Sequence, residues 1–449
     1  MRFMPHTAAD IASMLGTIGA SATDDLIAHI PAALRAAAAI GLEPGRGEAE
    51  VVAELSALAA RNEGASDYTS FLGAGYYRHY IPAAVRAIAG RAEFATSYTP
   101  YQAEASQGTT QAIFEFQTLI TQLTAMEVAN ASMYDGASAT AEAVLMTRRL
   151  LPKRRVIAIS RALWPDYRAT IRTYLSAIGG IEIIELPFDI GTGATDLGAL
   201  GAVANEDLLC AVIGYPNAFG VIEPLGGAVE IVHRAGALVV SATAEALALG
   251  LLKAPGDLGA DIVVGEGQSF GLPVEFGGPG VGFLTARTAH LRQMPGRLVG
   301  QTHDRNGRRA FCLTLSTREQ HIRRERATSN ICTNHSLCAL AATVYLSLMG
   351  RQGLRELAER NVELAHEGAD ALKARGIRRR FSGPFFNEFA VSLAHPANAL
   401  AWAEQRRIIA GLPLAADYPE LSDSVLISVT EMNRSAELGL LADVLAEAR

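Results

Sequence analysis

A chain of 449 residues, about half of them apolar and 19% charged, can bury a sizeable core and is too hydrophobic to remain disordered. Its formal charge of −7 and pI near 5.9 leave no global basic field to hold nucleic acid or an anionic membrane. Four scattered cysteines, Cys210, Cys312, Cys332 and Cys338, suit reduced thiols in a cytoplasm better than a disulfide framework. No apolar signal core is visible at the start, and the best membrane candidate, 237–252, is short and holds Glu245. Only three of the 39 Lys and Arg residues are lysines: Lys153, Lys253 and Lys373.

In chain order, Thr7 is placed to cap a helix at 8–15, and Thr23 to cap one at 24–30 whose acidic first turn suits the helix dipole. Residues 48–61 read as a longer amphipathic helix. The stretch from Asp67 to Pro82 is dense in aromatics and glycines and has neither helical nor strand period, which predicts an ordered loop that contacts something. Glu93 to Gly108 continues in that manner. A helix then carries Ile113, Phe116, Leu119, Ile120 and Leu123 on one stripe. Tyr134-Asp-Gly-Ala-Ser-Ala-Thr-Ala-Glu142 leads into another helix, with Asp135 or Ser138 as its cap.

Strands predicted at 155–160, 181–186, 208–215, 237–243 and 261–264 alternate with helical patterns at 167–178 and 225–234. That spacing calls for a mostly parallel sheet covered by helices on both faces. Glycine-rich Phe276-Gly-Gly-Pro-Gly-Val-Gly-Phe-Leu284 predicts a turn feeding a further strand. Residues 287–326 hold ten arginines against three acids and read as a docking face or a solvated surface. Helices at 334–349, 352–375 and 435–447 with strands at 389–393 and 425–429 complete a small α+β domain. The expected division is an N-terminal helical arm and loop at 1–80, a large domain at 81–328 and a small domain at 329–449.

Three local patterns tempt and fail. Gly267-Gln-Ser-Phe-Gly271 has the spacing of a nucleophile elbow, but Leu272-Pro273 and the glycines beyond do not start the helix that such a serine needs. Cys332, His335 and Cys338 lie at a helix start where positions six apart diverge, and they lack a fourth ligand, so no metal is expected. Lys253, followed by Ala-Pro-Gly, reads as an exposed loop residue.

The segments Phe71-Leu-Gly-Ala-Gly-Tyr-Tyr-Arg-His-Tyr-Ile-Pro82, Tyr98-Thr-Pro-Tyr-Gln-Ala-Glu-Ala-Ser-Gln-Gly108, Asn130-Ala-Ser-Met-Tyr-Asp-Gly-Ala-Ser-Ala-Thr-Ala-Glu142 and Ser329-Asn-Ile-Cys-Thr-Asn334 together resemble the P-protein of the glycine cleavage system. Within that family they are most similar to subunit 1, the α chain of the split bacterial form. The resemblance implies an α/β, fold-type-I (aspartate-aminotransferase-like) transferase fold whose large domain carries a mostly parallel sheet. In such enzymes a strand Asp pairs with the pyridine nitrogen of pyridoxal 5'-phosphate (PLP) and a nearby strand ends at the Schiff-base lysine. Ser241 and Thr243 stand where the Asp is expected, and Gln268-Ser269 where the lysine is. In the family that lysine belongs to subunit 2, the β chain, so this chain is expected to hold no catalytic residue of its own.

The implied activity is that of glycine dehydrogenase (aminomethyl-transferring). Glycine loses CO2 with PLP as electron sink, and its aminomethyl group passes to the lipoate arm of H-protein in an α2β2 assembly. Tyr98, Tyr101, Gln102 and Glu104 are the candidates to line the shared site. Gly136, Ser138 and Thr140 are the candidates for a degenerate phosphate loop at a helix N-terminus. Two rivals remain open: a self-sufficient PLP enzyme using Lys253, and a structural or regulatory paralogue that contributes nothing to the site.

Overall fold

The computed structural model describes residues 5–38, 41–64, 67–331 and 333–448. The chain divides into two compact units, Met1–Gly64 and Ala65–Arg449. The first holds helices α1 (Ala8–Ile18), α2 (Thr23–Leu26), α3 (Ala32–Ala37) and α4 (Glu48–Ala59). Thr7 caps α1 as expected: its hydroxyl accepts the Asp10 N–H, and the Asp10 carboxylate accepts the Thr7 N–H at 2.7 Å. The expectation for Thr23 fails. That residue is already helical, and the Asp25 carboxylate, which takes the N–H groups of Ser21 and Ala22, caps a helix that stops at Leu26. No residue described in these four helices is buried; Ile11, Met14 and Ile18 of α1 and Val52, Leu55 and Leu58 of α4 remain exposed.

The second unit opens with strand β1 (Thr69–Ser70), the short helices α5 (Ala83–Ala89) and α6 (Ala92–Ala95), and α7 (Gln107–Thr124), which buries Ile113, Phe116 and Ile120 of the expected stripe. Residues 67–80, grouped in the sequence reading with the N-terminal arm, lie in this unit. Next come β2 (Val128–Ala129), α8 (Gly136–Leu150), β3 (Val156–Ser160), α9 (Pro165–Leu175), β4 (Glu182–Leu186), α10 (Leu197–Val203), β5 (Leu208–Gly214), α11 (Leu225–Arg234), β6 (Leu238–Thr243), β7 (Ile262–Glu266) and β8 (Gly282–Ala286). The seven strands form one sheet in the order β2-β8-β7-β6-β5-β3-β4. The ladders from β4 to β7 are parallel, and β8 runs antiparallel to both its neighbours. Every residue of β5 and β7 is buried, which explains their unbroken apolar runs: both faces are covered.

The arginine-rich stretch holds an unexpected antiparallel hairpin, β9 (Leu298–His303) with β10 (Arg309–Thr314), followed by the single-turn α12 (Gln320–Arg323). Helix α13 (Ser336–Ala374) breaks at Gly350, where φ is +59°, so the two helices expected there share one run interrupted at a glycine. Strand β11 (Glu388–Ser392), α14 (Pro396–Glu404), β12 (Ile408–Ile409), β13 (Leu412–Pro413), β14 (Ser424–Ser428) and α15 (Ser435–Glu447) complete the chain. The antiparallel sheet β11-β14-β13 packs with α13 and α15 over a core of Leu364, Phe389, Val425, Ile427 and Leu441. Phe71 enters that core, and β1 pairs in parallel with β12, so the segment before residue 82 is anchored in the C-terminal part of the fold.

Candidate functional site

In an open α/β sheet, ligands sit beyond the carboxyl ends of the strands. Here β6 ends on Ser241 and Thr243 and β7 on Glu266, with Gln268 and Ser269 just after it; all five are buried. Thr243 donates its hydroxyl to the Tyr215 carbonyl at 2.8 Å. Gln268 makes a two-point clasp on a backbone: its Oε1 accepts the Tyr77 N–H at 2.9 Å, and its Nε2 donates to the Tyr77 carbonyl at 3.0 Å and the Leu272 carbonyl at 2.7 Å. The aromatic segment 71–82 is therefore pinned at Tyr77 against the turn that follows β7. Tyr77 also donates its hydroxyl to Glu388 at 3.1 Å, and Glu388 accepts the Ala74 N–H at 2.7 Å. A Cβ on Gly73 would fall 2.4 Å from that carboxylate, so the close threading requires glycine there.

The N-terminus of α8 has an internal anion. Asp135 caps it by accepting the Ser138 N–H at 2.6 Å. The Glu266 carboxylate accepts the N–H groups of Gly136 at 3.0 Å, Gln268 at 3.1 Å and Val281 at 2.7 Å. Burial pushes the Glu266 carboxyl up to about 7, against the opposing pull of those donors. The Ser138 hydroxyl bonds to the Asp135 carbonyl and the Thr140 hydroxyl to the Gly136 carbonyl. A Cβ on Gly136 would lie 2.0 Å from the Tyr167 hydroxyl, so this position too is glycine for want of room. Gly136, Ser138 and Thr140 thus keep the helix terminus of a phosphate loop while their polar groups are spent within the chain.

Deeper in the cleft, His79 bridges two carboxylates, with Nδ1 2.8 Å from Glu431 and Nε2 3.1 Å from Glu245. Burial works against the imidazolium, but the two carboxylates outweigh it and hold the ring at about 10. Asn361 donates to Glu431 and Asn387 to Glu245, so the triad is hydrogen-bonded on its outer sides as well.

At the rim the character reverses. Tyr98 is 79% exposed and Tyr101 57% exposed, on a loop that ends where α7 begins. Gln102 and Glu104 are exposed in the following turn. Tyr98 and Thr99 line an open cleft of about 260 Å³ together with Arg297, Asn334 and His335. Asn334 donates to the Ala131 carbonyl at 2.9 Å, Ser329 donates to Glu142 at 2.8 Å, and His335 donates to the Gly280 carbonyl at 2.7 Å. The motif segments beginning at Tyr98, Asn130 and Ser329, far apart in sequence, meet around this rim.

Residues 1–445 match the family described as glycine cleavage system P-protein. The chain belongs to that family. "Probable glycine dehydrogenase (decarboxylating) subunit 1" of Anaeromyxobacter dehalogenans is 51% identical over 445 residues, covering 98% of this chain and 99% of that protein. The protein of the same name from Geobacillus thermodenitrificans is 48% identical, covering 99% of each. A crystal structure of glycine decarboxylase (P-protein) of the glycine cleavage system, in inhibitor-bound form, superposes with a TM-score of 0.90 at 43% identity, covering 100% of both chains. A NifS-like protein at 15% identity, with a TM-score of 0.63 over 85% of this chain and 98% of that one, shares the fold alone.

P-proteins have the fold-type-I architecture of PLP enzymes, and the residues of this chain's own cleft do not fit that cofactor. Gln268, which the sequence reading set at the lysine position, has its amide committed to Tyr77. Two of the amides that a phosphate would use at α8 are already taken, Gly136 by Glu266 and Ser138 by Asp135. Lys253 is exposed on the loop before β7. Ser269 is buried on a turn that starts no helix, unlike the serine of a nucleophile elbow. Cys332 lies outside the described residues, and among those described no group of three His, Cys, Asp or Glu could hold a metal.

Sequence reasoning missed Glu266, His79 and Arg297. The first two are polar residues without local pattern: both of the carboxylates on His79 are 166 or more positions away, and Glu266 reaches Gly136 130 positions away. Arg297 was one of ten arginines in a stretch read as surface, yet its side chain is 5% exposed.

Proposed function

We propose that this chain is subunit 1, the α chain, of a glycine dehydrogenase (decarboxylating), and that it completes and shields a catalytic site whose PLP and lysine belong to subunit 2. The observation that carries this reading is that Gln268 and the Gly136 amide are committed within the chain, in a chain that matches subunit 1 over 98% of its length. The reacting centre must then lie in the partner. The role left to this chain is to present the rim of Tyr98, Tyr101, Asn334 and His335 to it. The aromatic rings would exclude water, and the phenol hydroxyls would hydrogen-bond a small carboxylate or the cofactor. Exclusion matters chemically, because a carbanion open to water is protonated to methylamine before the lipoyl arm of H-protein can take up the aminomethyl group.

The exposed apolar residues of α1 and α4, such as Ile18 and Leu55, support an obligate association, because such stripes are costly to leave in water. We infer an α2β2 assembly in the cytoplasm, and we keep a division between residues 328 and 329 as the boundary of the small domain. Among the described residues no helix is long and apolar enough to cross a membrane. The test is a glycine/CO2 exchange assay with lipoylated H-protein, run on this chain alone and after co-expression with subunit 2. Exchange is expected only from the pair. Borohydride reduction of the isolated chain with PLP should leave no pyridoxyl peptide, and a stoichiometric adduct on Lys253 would overturn the reading in favour of a self-sufficient enzyme.

A further inference from the structure

The rim loop carries its tyrosines with little support of its own. Its internal backbone bonds span two or three residues, such as Tyr101 N–H to the Thr99 carbonyl at 2.9 Å and Ala105 N–H to the Gln102 carbonyl at 3.1 Å. The bonds that tie Thr99 and Tyr101 to sequence-distant structure come from one side chain: Arg297 donates from Nη1 to the Thr99 hydroxyl at 3.2 Å and from Nη2 to the Tyr101 hydroxyl at 2.9 Å. Its guanidinium carbon also lies 5.2 Å from the centre of the Tyr101 ring. The fork is itself held. Nε makes no hydrogen bond but lies at ion-pair distance, 3.5 Å, from Glu319, the side chain is 5% exposed, and the Arg297 carbonyl accepts the Ala131 N–H at 2.8 Å, just past β2 of the central sheet. A planar guanidinium with two committed prongs fixes both partners in direction as well as distance, which a lysine cannot do.

We propose that Arg297 is a positioning residue for the reaction of the assembled complex: it transmits the rigidity of the sheet to the tyrosine loop and sets where Tyr98 and Tyr101 stand at the shared site. The proposal rests on the shared-site reading above. One N–H of each Nη is engaged with the loop, so the role assigned to Arg297 is to position the tyrosines.

The test uses the complex with subunit 2 and lipoylated H-protein and reads kcat and KM for glycine in CO2 exchange, with assembly checked by sizing chromatography. R297M should lower kcat/KM by about tenfold to a hundredfold, the usual consequence of misplacing a site by about 1 Å. R297K, which restores the charge beside Glu319 without the fork, should fail to rescue; a role in charge neutralisation alone would show rescue and overturn the proposal. The double variant Thr99→Val/Tyr101→Phe cuts both prongs while leaving the arginine in place, and it decides the case if R297M does not assemble. It should fall as far as R297M, and wild-type exchange from it would overturn the proposal. If R297M is unimpaired while Tyr98→Phe is slowed, positioning by Arg297 is wrong and the shared site stands. If Tyr98→Phe and Tyr101→Phe are both unimpaired, the polar role of the tyrosines fails and takes this inference with it.

Discussion

The cleft and the rim of this subunit are built from the same kinds of residue and have opposite fates. In the cleft, Tyr77, His79, Glu266 and Gln268 are buried, and each is bonded to another part of the same chain. On the rim, Tyr98 and Tyr101 stand in the open with most of their surface unused. A polar group that is buried and satisfied stabilises the fold but is unavailable for chemistry, whereas an exposed aromatic loop costs solvation until something covers it. On the reading proposed above, the cleft, which in fold-type-I enzymes holds the cofactor, is here part of the scaffold, and what this chain offers a reaction lies at its edge.

The comparison breaks most readily at His79. His79→Ala leaves Glu245 and Glu431 facing each other in a buried space, a loss of about 3–5 kcal/mol for a broken buried pair. Its pH dependence follows from the sign of the shift. The folded ring titrates at about 10 against an ordinary 6.5, so its contribution is complete below 6.5 and is lost as pH rises through about 10. The carboxyls of Glu266, raised by burial to about 7, and Glu388, raised by burial to about 8, act in the same direction. Their contribution is complete below the ordinary 4.5 and fades as pH climbs through those values. Denaturant unfolding of the chain should show wild-type stability falling from pH 6 to pH 10, with the gap to His79→Ala narrowing over that range. A gap that stays constant would mean that the ion triad is not what His79 contributes.

A smaller effect is expected at Gln268. Gln268→Ala leaves the Tyr77 N–H and carbonyl without their partners, at about 1–3 kcal/mol. Because the cleft is scaffold, the assembled complex should still exchange CO2 at the wild-type rate. The sharper variant is Gln268→Lys, which restores a lysine but not a phosphate site, since Glu266 still holds the Gly136 amide. Borohydride reduction with PLP should give no stoichiometric adduct at position 268, and a full adduct would show that the cleft is not closed after all.

Much of the frame was legible before the structure. The parallel strands announce themselves as apolar runs because they are covered on both faces, and α1 and α8 carry caps that the chemistry of Thr7 and Asp135 dictates. The hairpin β9–β10 was legible but unread: Asp304 and Arg308 close a three-residue loop with Gly307 at φ +75°, a recognised hairpin pattern, and the surrounding arginines drew attention to charge instead. The site's wiring was not legible in any degree. His79 meets a carboxylate 352 positions away and Arg297 meets a hydroxyl 196 positions away, and no local periodicity encodes such pairings. Family resemblance supplied the absence of the lysine's function, while only geometry supplied what fills its place.

The smallest expected effect lies at the rim and is the most informative about catalysis. Tyr98 lines the 260 Å³ cleft from its exposed side, and Pro100 stiffens the loop by disfavouring helix at Thr99. Removing its hydroxyl changes neither the ring nor any contact that holds the loop, since the anchoring bonds run from Arg297 to Thr99 and Tyr101. If the hydroxyl bonds the substrate carboxylate or the cofactor in the partner site, Tyr98→Phe costs one hydrogen bond of about 0.5–1.5 kcal/mol, which is roughly a two- to tenfold loss in kcat/KM. Packing alone predicts no loss, because phenylalanine keeps the apolar area. Tyr98→Ala separates the contributions further by also opening the cavity to water, and it should release methylamine in place of transferring the aminomethyl group, in proportion to the fraction of carbanion protonated early. Exchange by Tyr98→Phe at the wild-type rate and the same glycine concentration, together with no methylamine from Tyr98→Ala, would leave the tyrosine as interface packing and move the search for this subunit's contribution to Asn334 and His335, which line the same cleft.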